Sequence, residues 1–136
     1  MKNIIYTKSI IKPKEVSDGI RISIMSRHKL NDGNTLDERI IEGISFDEWL
    51  KEFSPPLKLI GAYYRKELDG FQEFERKYLE FLRTEEMIIK VKQFSKRCSK
   101  EIITLMCIED TAEFCHRRLF AEELQRYNSE LKVVHR

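Results

Sequence analysis

The chain has 136 residues, of which 41% are hydrophobic and 35% charged; one domain with a core of its own fits that length, and disorder does not fit that composition. Twenty-five basic and 23 acidic side chains leave a formal charge of only +2. That balance excludes a surface built as a whole to neutralise a phosphate backbone.

The longest near-apolar run, Ile102 to Ile108, is too short to cross a bilayer, and the charged N-terminus has no apolar stretch of the signal-peptide kind. A single α/β domain spanning residues 1–136 is therefore expected in the cytoplasm, with no membrane partner. Its three cysteines, Cys98, Cys107 and Cys115, are expected mainly as reduced thiols.

Ile4 to Ile11, β-branched at both ends, reads as a first strand, closed by Lys12-Pro13-Lys14 and the turn Ser17-Asp18-Gly19. Ile20, Ile22 and Ile24 alternate with Arg21, Ser23 and Met25, a second strand with one apolar face; Arg27 lies just past its end. Residues 28–44, with Asn31-Asp32-Gly33-Asn34 inside, form an irregular excursion of the kind that serves a site. Ser45, with Glu48 three residues on, predicts a capped short helix carrying Phe46, Trp49, Leu50 and Phe53.

Ser54-Pro55-Pro56 predicts a further helix start, with serine as cap and Leu57, Ile60 and Tyr64 inward; a strand over Leu59 to Ala62 competes, and Asp69-Gly70 marks the end. Phe71, Phe74, Tyr78 and Phe81 define the next helix, and Met87, Val91, Phe94 and Cys98 another near Glu85 to Cys98. Lys96, Arg97 and Lys100 form a local basic cluster that reads as a solvated helix end. The run from Ile102 to Ile108 lacks alternation, as a strand covered on both faces does. Phe114 to Tyr127 reads as a helix, and Leu131 to Val134 as a last short strand. Helices and strands in this succession predict an α/β fold: a small, mainly parallel sheet with helices packed on its faces.

The chemically loaded segment is Cys107 to Arg117, which leaves a buried strand and enters a helix. Ligands of open parallel sheets bind outside the carboxyl ends of the strands, and the first turn of a helix presents free N–H groups to anions. An anionic small molecule or nucleotide is the expected ligand, held by Arg21, Arg27, Cys115 and Arg117, with Tyr63, Tyr64 and Arg65 further out. If the domain is an enzyme, Cys107 is the candidate nucleophile, with Glu109 and His116 beside it for acid–base work; its cofactor is unknown.

Each of these residues also has a plain structural reading. Cys107 and Cys115 can be apolar filler, Glu109 and Asp110 can cap the helix, and the arginines can be solvated. A non-catalytic nucleic-acid or protein-binding module remains the alternative. A phosphatase or rhodanese loop is excluded in its usual form, because Glu113 stands where the arginine belongs and the loop has no glycine. Cys107, Cys115 and His116 match no common zinc spacing, and neighbouring helix residues diverge by about 100°, so no metal is expected. A regulatory Cys107–Cys115 disulfide is a further option. Either loop cysteine is expected to alkylate faster than Cys98.

Cys107-x-Glu109 followed by Cys115-His116-Arg117 and Ala121-Glu122-Glu123-Leu124, after a buried strand, resembles the DUF488 family, whose name denotes a domain of unknown function. Ser17-Asp18-Gly19-Ile20-Arg21-Ile22 and the Phe71 to Leu82 helix are similar to its other shared blocks, so the resemblance runs from about Ser17 to the C-terminus. It implies an α/β domain and no particular activity. Arg21 carries over by position. The family's Trp-Pro-Arg-Gly-like stretch does not, because this chain has Arg27-His28-Lys29-Leu30-Asn31-Asp32-Gly33 there.

Overall fold

A computed structural model describes residues 3–30 and 32–136. Met1 and Lys2, part of the N-terminal reading, and Asn31, part of the excursion's turn, lie outside the described residues. Among the described residues five parallel strands form one sheet: β1 (Ile4–Ser9), β2 (Ile20–Ser23), β3 (Glu48–Trp49), β4 (Ile103–Cys107) and β5 (Lys132–His135). Their order is β3-β2-β4-β1-β5, so β4 lies at the centre between β2 and β1. Among the described residues there are four α-helices, α1 (Leu57–Tyr64), α2 (Gly70–Leu82) and α3 (Glu85–Cys98) between β3 and β4, and α4 (His116–Gln125) between β4 and β5. Among the described residues no helix is long and apolar enough to cross a membrane.

Alternation within the strands divides the sheet into two chemically different faces. Ile5, Ile22, Ile103 and Leu105 pack against Tyr78 and Leu82 of α2, Val91 and Phe94 of α3 and Phe120 and Leu124 of α4. The intervening positions carry polar groups that are buried nonetheless: Lys8, Arg21 and Thr104. Burying such groups is tolerated only when each finds a partner. Lys8 Nζ donates to Asp18 Oδ2 at 2.8 Å and to the Pro13 carbonyl at 2.7 Å. Arg136 donates to the other Asp18 oxygen at 2.8 Å, and Thr104 Oγ1 to the Asp18 carbonyl. The turn is closed by Gly19, whose φ of +65° suits glycine, and a Cβ there would run into the Ile102 carbonyl.

Two local expectations are corrected. The helix predicted to start at Phe46 is instead the edge strand β3 followed by a single 3-10 turn, Lys51–Phe53. Asp47 N–H donates to the Arg21 carbonyl and Leu50 N–H to the Ser23 carbonyl, so pairing with β2 takes the backbone bonds a helix would need. Ser45 caps no helix; its hydroxyl accepts from Ile41 N–H and donates to the Arg39 carbonyl. Helix α1 does form, but Pro56 rather than Ser54 precedes its first residue, and the helix ends at Tyr64. Gly70 opens α2 instead of closing α1.

Candidate functional site

The carboxyl ends of β2 and β4 open onto a cleft. Met25, Ser26, Cys107, Cys115 and His116 line it. Ile60, Tyr63 and Tyr64 of α1, with Phe71 and Phe74 of α2 and Phe114, wall it. The cavity volume is about 60 Å³, room for a few water molecules or a small group. Ser26, Arg27 and Lys29 also line an adjoining hollow of about 780 Å³, walled by the 28–44 excursion and by Phe46 and Trp49.

Cys107 is the last residue of β4 and Cys115 the residue before α4, and both are buried. Their sulfurs are joined as a disulfide, which corrects the expectation of three free thiols; Cys98 alone is free, buried in α3. The loop between them turns back on itself, with Cys115 N–H donating to the Ala112 carbonyl. Cys115 has extended backbone angles, φ −134° and ψ 142°. It therefore stands outside the helical spacing that was expected to separate it from His116. Sulfur and imidazole ligand atoms of Cys107, Cys115 and His116 lie within 4.8 Å of one another.

His116 Nε2 donates to the Ile24 carbonyl at 2.8 Å, which leaves Nδ1 as the ring nitrogen with a lone pair. Burial, with the Arg117 charge adding to it, pushes its pKa down to about 4, so the ring is neutral at pH 7. Glu109 lines the cleft and accepts from Tyr64 Oη at 3.0 Å, while burial, then the Glu109 charge, raises the Tyr64 phenol. It does not cap α4, whose preceding residue makes no side-chain capping bond.

Arg117 is wholly buried. Its Nη1 lies 3.2 Å from Cys107 Sγ and 3.3 Å from Cys115 Sγ, and donates to the Glu109 carbonyl at 2.7 Å. Nη2 reaches the Asp110 carbonyl at 3.5 Å, and Nε has no partner among the described residues. None of these contacts is a carboxylate. Burial lowers its pKa to about 10, against the pull of Glu109 and Asp110. A buried cation without a counter-ion is costly, and the groups nearest to it are the two sulfurs.

The other predicted arginines are placed differently. Arg21 is buried and does not line the cleft; its guanidinium is held by Asp47 at 3.0 and 3.3 Å and by the Ile44 carbonyl. Arg27 lines the cleft. Arg65 pairs with Glu67 on the surface. In the basic cluster, Arg97 is taken up by Glu48 and Glu101. Sequence reasoning missed Lys29, Met25 and Ser26, and assigned Phe71 and Phe74 to the core alone. Their helical stripe carried no signal that its N-terminal end also walls a cleft.

His28 packs on Trp49 with ring centroids 3.8 Å apart and meets Ser23 Oγ at 2.7 Å. Burial first, then Lys51, lowers its pKa to about 4. Both His28 and His116 thus stay neutral in the folded state where an unfolded histidine, with a pKa near 6.5, begins to charge. The unfolded state binds more protons in that range, so their contribution to stability is full above about pH 6.5 and is lost as pH falls towards about 4. Unfolding stability in urea is expected to fall between pH 7 and pH 5, by about 2 kcal/mol per histidine. Replacing both by glutamine should flatten that slope; a wild-type midpoint equal at the two pH values would contradict the assignment.

Fold and site together define a parallel α/β domain with paired cysteines at the strand ends of its cleft. The chain belongs to the DUF488 family: the profile described as the active DUF488-N3 subclade matches residues 5–128. Among curated proteins and among solved structures, nothing matches.

Proposed function

We propose that the cleft is a cysteine-dependent active site in which Cys107 and Cys115 exchange between dithiol and disulfide at the expense of a small electrophilic substrate. The observation that carries this reading is Arg117, a wholly buried guanidinium whose Nη1 faces both sulfurs and pairs with no carboxylate. A thiolate is the counter-ion it lacks. The N-terminal end of α4 adds its dipole at Cys115.

In the forward step, the Cys107 thiolate gives its electron pair to a substrate disulfide sulfur or peroxide oxygen. Cys115 then loses its proton, attacks the sulfur of Cys107 and expels the remaining group. The pair gives up two electrons and two protons, and a substrate disulfide leaves as two thiols. The neutral His116 imidazole, with a ring nitrogen within 4.8 Å of both sulfurs, is the base beside them, and Glu109 with Tyr64 forms a second proton-handling pair. The expected anionic character of the substrate rests on Arg27 and Lys29, because Arg21 and Arg117 are committed to internal partners. The description of the matched subclade as active is in keeping with a catalytic reading.

Alkylation of the reduced, metal-free protein tests the proposal. Either loop cysteine should react faster than Cys98, whose thiol burial pushes up to about 12, and the rate should keep its value well below the ordinary thiol pKa of ~8.5. Equal rates for all three cysteines, or protection of both loop cysteines, would make the pair structural.

A further inference from the structure

The convergence of two sulfurs and an imidazole nitrogen has a second chemical use. We propose that the reduced protein binds one zinc ion through Cys107 Sγ, Cys115 Sγ and His116 Nδ1, with the fourth coordination position open to the cleft. The inference goes beyond the thiol reading above and does not depend on it.

The ligand set is the first support. Two thiolates and one imidazole with a fourth, open position make a zinc site of the catalytic type, with Zn–S near 2.3 Å and Zn–N near 2.0–2.1 Å. Tetrahedral geometry at those lengths sets ligand atoms about 3.4–3.8 Å apart, and here the two sulfurs and a ring nitrogen of His116 lie within 4.8 Å of one another. The two Cα atoms stand 7.6 Å apart, beyond the ~4.4–6.8 Å usual for a disulfide. That separation leaves the sulfurs room to part around an ion once they are reduced.

The surroundings are the second support. A metal-bound histidine characteristically donates its other ring N–H to a carbonyl or carboxylate, and His116 Nε2 does so to the Ile24 carbonyl. Two thiolates balance the charge of Zn²⁺, and Arg117 Nη1, facing both sulfurs, would serve as a hydrogen-bond donor to the bound thiolates. The cavity beside the three ligands accommodates a water or the donor atom of a small ligand at the fourth position.

Zinc and disulfide are then exclusive states of the same pair. A peroxide takes two electrons from the bound thiolates and two protons from solvent to give two molecules of water or alcohol. The S–S bond forms and Zn²⁺ leaves.

Cobalt titration of the reduced, metal-free full chain tests the site. One equivalent of Co²⁺ should produce sulfur-to-cobalt charge-transfer absorption and the visible bands of tetrahedral cobalt, and one equivalent of Zn²⁺ should bleach both. The pre-oxidised protein should produce neither. His116→Gln should weaken binding at least tenfold, while Cys98→Ser should leave it unchanged. Peroxide added to the zinc-loaded protein should release one zinc per chain to a colorimetric indicator. Absence of thiolate–cobalt absorption in the reduced wild type, or its persistence in Cys115→Ser, overturns the proposal. Neither result touches the thiol reading, whose alkylation rates are measured without metal.

Discussion

Replacing Arg117 by methionine is expected to slow alkylation of the loop cysteines at neutral pH by about 3- to 10-fold, the lost thiolate fraction being partly offset by the greater nucleophilicity of a more basic thiolate. The side chain is wholly buried and its Nη1 meets both sulfurs. A hydrogen bond to a charged group contributes about 1.5–3 kcal/mol, which corresponds to about one to two units in the pKa of the thiol it stabilises. The same free energy favours reduced over oxidised cysteines. The wild-type disulfide should therefore be the stronger oxidant, by about 30–60 mV at ~30 mV per 1.4 kcal/mol. Methionine keeps the apolar stem and removes a buried cation with an unpartnered Nε, so unfolding stability should hold or rise. A variant that loses stability but keeps the wild-type alkylation rate and redox potential would show Arg117 to be only a brace for the 109–110 loop.

Asp18→Asn is expected to cost about 3–5 kcal/mol in a urea titration at pH 7, the range for removing one partner of a buried ion pair. Lys8 is only 1% exposed and Asp18 fully buried, with 2.8 Å between them. Burial by itself would raise the Asp18 carboxyl, but Lys8, the Glu15 N–H and Arg136 hold it below its ordinary value. A carboxyl with a depressed folded pKa contributes its stability above the unfolded value and loses it as pH falls through the folded one. Wild type and variant should therefore converge in strong acid. Lys8→Met combined with Asp18→Asn should recover much of the loss, since no unpaired charge then remains inside. A single variant within about 0.5 kcal/mol of wild type would remove this cluster from the account of stability.

These two clusters differ in how far they can be read along the chain. Ser17-Asp18-Gly19 is legible as a turn, because glycine and aspartate there carry local conformational meaning. That Asp18 neutralises a lysine ten positions earlier and an arginine at the C-terminus depends on β1 and the chain end meeting in space. In the same way Arg21 reads as one polar residue of an alternating strand, whereas the edge strand β3 brings Asp47 across it and makes it a structural anchor.

Sequence by itself determined the elements whose signals are local: α2 and α3 from aromatic and aliphatic stripes at helical spacing, β4 from an unbroken apolar run, and the parallel α/β class from their succession. It also located the loaded loop, since a reactive residue type is visible wherever it falls. Tertiary structure alone decided β3, where pairing with β2 overrode a helical pattern around Phe46 to Phe53. It alone decided that Cys115, extended at the helix entrance, meets Cys107 and His116 rather than diverging from them. It alone set Arg117 behind both sulfurs, inside the protein and without a carboxylate. The physical reason is the range of the forces. Backbone preference and hydrophobic periodicity act within a few residues, while a counter-ion or a ligand atom is defined only by what the folded chain brings within a few ångströms.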